Sequence, residues 1–147
     1  MRSRLTIQID APLDRIFPLA SEVEHWPERL PHYRYVRRLP SSAGELRFAM
    51  GARRGFLPVR WEAIQHLLPD ERRIEFTHTG GVTRGMEVAW RFEPRGDGWE
   101  VSIEHQLELG WPLIGGFAAE RVIGPQFVEA IAMQTLRRVK LLAEAAR

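Results

Sequence analysis

The sequence predicts an α+β fold in which a curved antiparallel β-sheet of about seven strands wraps around a long C-terminal helix. Two observations support this. Strand-like runs separated by short turn-forming segments fill most of the chain up to residue 109. The part that follows, roughly Leu113 to Ala145, repeats apolar residues close to the helical period. A sheet and a single helix packed in this way can enclose a pocket, so the space between them is the first place to look for function.

Length and composition predict one domain over residues 1–147. They also predict that the domain does not bind nucleic acid and has no metal site built from cysteine. The chain has no cysteine, a formal net charge of +2, and arginine in place of lysine almost throughout, with Lys140 the single lysine. Acidic residues are interleaved among the arginine doublets, so we expect no nucleic-acid footprint. The sequence has no signal-peptide pattern and no run of about twenty apolar residues. We therefore expect a cytoplasmic protein without stable membrane insertion; the sequence leaves its oligomeric state open.

The N-terminal part predicts one strand and two short helices. Leu5 to Ile9 alternates apolar and polar residues, and Asp10-Ala11-Pro12 follows, with proline suited to the first position of a helix. A second short helix is expected from Ser21 to His25. Trp26-Pro27 should close that helix, because a residue before proline is disfavoured in the helical region.

Six further runs have the period of two that is typical of strands. The breaks between them contain glycine, proline, serine and aspartate, so they predict tight turns and a meander, with Gly80-Gly81 as one of the hairpin turns. The predicted strands are Tyr33 to Leu39, Glu45 to Arg53, Leu57 to Leu67, Arg72 to Thr79, Gly85 to Glu93 and Trp99 to Leu109. The last helix should be kinked or broken at Gly124-Pro125, because proline removes a backbone donor and clashes with the preceding turn.

Three segments carry a resemblance to a known family. Ile9 to Phe17 looks like that family's first strand-to-helix joint, Val23 to Pro27 like its second helix, and Gly110 to Phe117 like the start of its last helix. Together with the order of elements, they resemble the START-like (SRPBCC) helix-grip superfamily of the birch-pollen-allergen type, and within it the polyketide cyclase/dehydrase family. The resemblance implies a cavity that holds a small hydrophobic molecule, in some members an aromatic polyketide undergoing cyclisation.

Strand alternation predicts which side chains face this cavity. If Trp90 and His105 point inward, the same period brings Trp61 and His78 to the inner face, and the two histidines are the polar exceptions on an apolar wall. A neutral buried histidine can donate from one ring nitrogen and accept at the other, which suits orienting a phenol or carbonyl, or assisting enolisation. We therefore take His105 and His78 as candidate catalytic residues.

The remaining candidates are expected to line the ligand site. Arg121 lies one helical turn after Phe117, where its guanidinium could hold an acidic or phenolate group at the cavity mouth. Tyr33 and Tyr35 offer hydroxyls, but the pattern does not decide which side of their strand faces inward. The predicted ligand-binding residues are Phe48, Met50, Trp61, Phe76, Met86, Trp90, Phe92, Ile103, Phe117, Arg121, Phe127 and Ile131.

Other catalytic signatures are absent from the sequence, and three functions stay open. There is no His-Glu-x-x-His motif, no Gly-x-Ser-x-Gly elbow and no phosphate-binding or dinucleotide-binding glycine pattern, so we expect no metal and no cofactor. The sequence favours a protein that binds a small hydrophobic, aromatic or polyketide-like molecule in an internal cavity, and it leaves open whether the chain also has cyclase/dehydrase activity. The two alternatives are a non-catalytic carrier or chaperone of a quinone or lipid, and a module that binds the ribosome or a protein partner. Polar groups converging in the cavity would favour the first, an apolar tunnel the second, and an outward arginine patch the third.

Overall fold

The computed structural model describes residues 2–41, 44–81, 83–107 and 125–145, and the side chains of residues 125–127 are not described. Seven strands form one antiparallel sheet in the order β1-β7-β6-β5-β4-β3-β2. The strands are β1 (Arg2–Ile9), β2 (Tyr33–Leu39), β3 (Leu46–Arg54), β4 (Leu57–Leu68), β5 (Arg73–Gly81), β6 (Glu87–Arg95) and β7 (Gly98–Gln106). The sheet is therefore a meander, as the sequence predicted, and the structure shows that its last strand returns to pair with the first.

Within the described ranges, three α-helices accompany the sheet: α1 (Leu13–Ser21), α2 (Trp26–Arg29) and α3 (Pro125–Ala145). Short 3₁₀ turns cover Val23–His25 and Pro69–Glu71. The predicted first part of the long helix, from Leu113 to Gly124, and the kink at Gly124-Pro125 fall outside the described residues. No helix in the described ranges combines the length and apolar composition needed to span a bilayer.

The prediction that Trp26-Pro27 closes the second helix is wrong. Trp26 has φ −59° and ψ −38°, and it begins α2, with Pro27 in the first turn. Proline is tolerated there because the first N–H groups of a helix have no partner within the helix. Trp26 itself is held by tertiary contacts, since its indole N–H donates to the Leu19 carbonyl at 3.0 Å and its ring lies 4.8 Å from that of Tyr33.

The prediction that Gly80-Gly81 forms a hairpin turn is wrong. Both residues belong to the end of β5. The two residues pair with Glu62 and Trp61 of β4, across an irregularity in the β4–β5 register. The turn begins at Gly81, whose carbonyl accepts a hydrogen bond from the Arg84 N–H at 3.2 Å. Gly81 has a φ of 88° that side chains rarely adopt, which explains why glycine ends this strand.

A bulge in β2 decides the question that the sequence left open about its two tyrosines. The register shifts between Tyr33, which lies opposite Ala52, and Tyr35, which lies opposite Gly51. Because one extra residue reverses the alternation of faces, Tyr33 is buried on the inner face while the Tyr35 ring covers Gly51 on the outer face.

Helix α3 packs across the inner side against β1 and α1. Leu136, Val139 and Ala143 are fully buried on its apolar stripe. At its C-terminal end, Lys140 donates to the Gln8 carbonyl at 2.6 Å, and Glu144 accepts from the Asp10 N–H at 2.9 Å. These contacts fix the end of α3 against β1, while the first half of its described part faces the space under β3 to β7.

Candidate functional site

A cavity lies between α3 and the inner face of the sheet, with a volume of about 80 Å³. Its wall consists of Trp26, Tyr33, Met50, Val59, Trp61, Phe76, His78, Thr83, Met86, Val88, Trp90, Ile103, His105, Val128, Ile131, Ala132 and Thr135. The described wall has no charged carboxylate, lysine or arginine; its polar groups are two histidines, one tyrosine and two threonines. This volume is smaller than the roughly 300 Å³ or more that is typical of ligand pockets.

The structure brings both candidate histidines and most of the predicted ligand-binding side chains to this wall. The predicted residues that line it are His78, His105, Met50, Trp61, Phe76, Met86, Trp90, Ile103 and Ile131. Phe48 and Phe92 are buried but do not line the cavity. Phe92 is covered by Phe17 of α1, with ring centroids 5.3 Å apart. Phe117 and Arg121, and the side chain of Phe127, fall outside the described residues.

Four polar or aromatic members of the wall were not among the residues predicted to line it. Trp26 was assigned to a helix end, and Thr83 lies between two predicted strands. The inward position of Tyr33 depends on the bulge in β2, which the sequence pattern does not reveal. Thr135 could have been predicted from the sequence. It lies four residues after Ile131 on the buried stripe of α3, where a polar residue is unusual.

His78 is held by one hydrogen bond and one aromatic contact. Its Nδ1 lies 2.6 Å from the Thr83 hydroxyl, which is also buried. Its ring is stacked on the Trp61 indole at 5.8 Å between centroids. Burial, with a smaller contribution from the neighbouring His105, lowers the pKa of His78 to about 3. The imidazole is therefore uncharged at neutral pH.

His105, opposite Ser3 in the β1–β7 ladder, lies on the same wall. Its Nδ1 is buried and has no hydrogen-bond partner in the described part of the chain. Burial lowers the pKa of His105 to about 4, so this imidazole is also neutral at pH 7. A buried polar atom without a partner costs about 1–3 kcal/mol, and a ligand that supplies the missing partner recovers that energy.

A second polar cluster joins β2 to α3. The Thr135 hydroxyl donates to the Ile131 carbonyl at 2.8 Å and lies 2.8 Å from Nε2 of His32. Because the hydroxyl has one proton, His32 donates to it from Nε2, which leaves Nδ1 as an acceptor. Tyr33 hydrogen-bonds to the same hydroxyl, and burial raises the pKa of the Tyr33 phenol. Burial lowers the pKa of His32 to about 4.

The arrangement suits uncharged molecules better than ions. Tyr33 is paired with Thr135 and His78 with Thr83, whereas Nδ1 of His105 has no partner in the described part of the chain. These polar groups lie among aromatic and aliphatic side chains. No group of three or more histidine, aspartate or glutamate side chains in the described ranges could hold a metal ion. Its chemistry is that of hydrogen bonding and shape.

Comparisons with known proteins agree with this geometry. The family described as "Polyketide cyclase / dehydrase and lipid transport" matches residues 9–130. The actinorhodin polyketide synthase bifunctional cyclase/dehydratase of Streptomyces coelicolor is 32% identical over 104 residues, which are 69% of this chain and 33% of that protein. The chain spans about a third of the length of the curated relatives it matches.

Two solved structures have the same fold. The di-domain ARO/CYC BexL from the BE-7585A biosynthetic pathway is 25% identical with a TM-score of 0.82, covering 100% of this chain and 50% of that one. The protein TTHA0849 from Thermus thermophilus is 23% identical with a TM-score of 0.81 and covers 99% of both chains. The family match extends over most of the chain, and its fold is the helix-grip fold that the sequence resembled. The chain therefore belongs to the polyketide cyclase/dehydrase and lipid transport family.

Proposed function

We propose that the chain binds a small aromatic or polyketide-like molecule between the sheet and α3 and promotes its cyclisation and dehydration. The observation that carries the proposal is the pair of neutral buried histidines, His78 and His105, on a wall of tryptophan, phenylalanine and methionine. The substrate class is supported by a relative that is named as a cyclase/dehydratase of actinorhodin polyketide synthase.

The histidines are better suited to orienting a substrate than to removing protons from it. With pKa values of about 3 and 4 they are weak bases, but in the neutral state each can donate one hydrogen bond and accept another. His105 offers its unpaired nitrogen to a carbonyl, enol or phenol of the ligand. Holding a flexible chain with its reacting carbons close together lowers the entropic part of the barrier to ring closure.

The cavity must enlarge, or the ligand must extend past the described wall, to admit an aromatic ring system. Met50 and Met86 line the cavity, and their unbranched side chains change rotamer at low cost. Trp61, Trp90 and Phe76 provide flat faces against which an aromatic ring can pack. We therefore expect ligand binding to move the methionines more than the aromatic residues.

The first test is binding. The purified chain is titrated with a naphthol-like probe while its melting temperature is recorded, since a ligand that binds only the folded state raises that temperature. Native mass spectrometry of the chain purified without added ligand would show any retained molecule. If no probe raises the melting temperature and no molecule is retained, the proposed function is wrong.

The second test is turnover. The chain is incubated with a linear poly-β-ketone mimic, and cyclised and dehydrated products are separated by chromatography. A variant with His105→Leu and a surface control with His66→Leu are treated in the same way. Product formation that depends on His105 and not on His66 supports cyclase/dehydrase activity, whereas binding without turnover identifies a carrier.

A further inference from the structure

The hairpin between β3 and β4 carries an exposed aromatic residue among arginines. We call this segment the basic hairpin and define it by Arg53, Arg54, Phe56, Leu57 and Arg60. Phe56 is 88% exposed, the largest value among the exposed large hydrophobic side chains of the described residues, and the adjacent Leu57 is 39% exposed. The two side chains form an apolar point at the end of the sheet.

Local structure does not explain the aromatic residue. Arg54 pairs with Leu57, so Gly55 and Phe56 form a two-residue turn. Gly55 has a φ of 60° and Phe56 does not have positive φ, a pattern that fits a type II′ turn with glycine at its first central position. The second position of such a turn needs no aromatic residue, and Phe56 packs against no core. The short turn places the ring at the tip of the hairpin.

The surface around the tip is positively charged. No acidic residue occurs from Leu46 to Trp61. Arg47 is paired with Glu62 at 3.8 Å, but Arg53 and Arg60 form no ion pair within the described ranges. The positive charge continues along the outer face, where the Arg37 guanidinium lies 4.6 Å from the centre of the Tyr35 ring.

The tip is also close to the cavity. Val59 and Trp61 of β4 line the cavity wall, and Val59 is only two residues beyond Leu57. At about 3.3 Å per residue along a strand, the Phe56 backbone lies roughly 10 Å from the wall at Val59. A surface that contacts Phe56 is therefore near the ligand site as well.

We propose that the basic hairpin docks on an anionic membrane surface. Phe56 and Leu57 enter the boundary between headgroups and acyl chains, and Arg53 and Arg60 contact lipid phosphates. A bilayer fits this surface better than a protein partner does. A stable protein interface needs about 800 Å² from each side, whereas a protruding ring flanked by cations needs only a yielding anionic surface.

Docking gives the cavity a source or a destination for its ligand, an inference that rests on the proposed function. A hydrophobic molecule leaving water for the bilayer lowers its free energy, so such ligands concentrate in membranes. A cavity within roughly 10 Å of the lipid contact can exchange them over a short path through water.

The test uses the full chain and extruded vesicles in a sedimentation assay. Vesicles of phosphatidylcholine alone are compared with vesicles of phosphatidylcholine and phosphatidylglycerol in equal parts. We expect binding to the anionic vesicles only. Phe56→Ser should weaken it about tenfold, as expected for a partly buried aromatic ring. The double variant Arg53→Gln with Arg60→Gln should weaken it about twenty-five-fold, at about fivefold for each arginine.

Matched controls separate this role from general surface effects. Leu141→Ser alters another exposed apolar side chain, 56% exposed on α3, and Arg95→Gln alters an arginine at the opposite end of the sheet. Neither should change vesicle binding. Circular dichroism and melting temperature establish that each variant is folded, and probe binding without vesicles reports on the cavity separately.

Failure of docking and failure of ligand binding give different results. Absence of sedimentation with anionic vesicles, in a chain that still binds the naphthol-like probe, overturns the docking proposal alone. Vesicle binding that depends on the arginines but is unaffected by Phe56→Ser also overturns it, because it indicates a site for any acidic macromolecule. If the chain binds anionic vesicles but not the naphthol-like probe, the proposed function is wrong and the docking proposal stands.

Discussion

The imidazole of His78 lies parallel to the indole of Trp61, with 1° between the ring planes and 5.8 Å between the centroids. This stacking orients the ring and directs its Nδ1 toward Thr83 in the β5–β6 turn. The imidazole thus joins a rigid strand residue to a turn residue, and both contacts lie on the cavity wall. The geometry leads to a prediction for the turn.

Replacing Thr83 with valine should destabilise the protein by about 1–3 kcal/mol, because the change keeps the shape and leaves a buried nitrogen of His78 without a partner. Thr83→Ser retains the hydroxyl and should cost less. The free energy of unfolding is measured in urea. Thr77→Val is the control. Thr77 lies next to His78 on β5, and its hydroxyl donates to the Glu87 carboxylate of β6 on the exposed side of the sheet. Equal stabilities for the valine and serine variants would contradict the prediction.

Replacing His105 with leucine should preserve the fold and weaken ligand binding. The leucine enters an apolar wall and removes a buried nitrogen that has no partner, so the free energy of unfolding should fall by less than about 1 kcal/mol. A lost hydrogen bond to the ligand should cost roughly 1 kcal/mol or more of binding free energy. Calorimetric titration with the naphthol-like probe measures the latter. Parent-like affinity in the folded variant would assign His105 a structural role.

Stability should fall between pH 6.5 and pH 5 because of three buried histidines. The pKa values of His32, His78 and His105 are lowered to about 4, 3 and 4 in the folded protein. Below pH 6.5 the unfolded chain therefore binds protons that the folded chain does not, and folding loses free energy as pH falls. Each site should remove about 2 kcal/mol by pH 5, before most carboxylates titrate.

The pH effect is measured by urea unfolding at several pH values in one buffer system. In His105→Leu one fewer proton is taken up on unfolding in this range. The slope of the free energy of unfolding against pH should therefore be smaller by up to about 1.4 kcal/mol per pH unit. His66→Leu, at an exposed position on β4, is the matched substitution with which the slope of His105→Leu is compared. If the unsubstituted protein is equally stable at pH 6.5 and pH 5, these histidines are not buried in the uncharged state and the prediction is wrong.

The strands and their inward faces were predictable because alternation persists over whole elements. From Ile74 to His78 and from Val101 to His105, every second residue is buried, so the position of both histidines followed from their apolar neighbours. This regularity explains why most of the wall was found. Where the sheet curves under α1, the same alternation buries Phe92 without bringing it to the cavity.

The features that were missed depend on contacts between distant parts of the chain. The bulge between Tyr33 and Tyr35 interrupts the period of two at one residue, so the local pattern cannot decide which tyrosine is inside. Trp26 adopts helical angles before proline because Leu19 and Tyr33 hold its indole. Both are cases in which tertiary packing overrides a local preference.

The final prediction concerns Gly51, over which the Tyr35 ring lies. A Cβ at Gly51 would overlap the Tyr35 ring, so Gly51→Ala should destabilise the protein by about 1–3 kcal/mol. Gly80→Ala is the control, because its Cβ would meet only Glu62 at 3.5 Å. In a double-mutant cycle Tyr35→Ala should restore most of the loss, since the obstacle is a side chain. Costs that simply add in urea unfolding would place the conflict in the backbone and contradict the prediction.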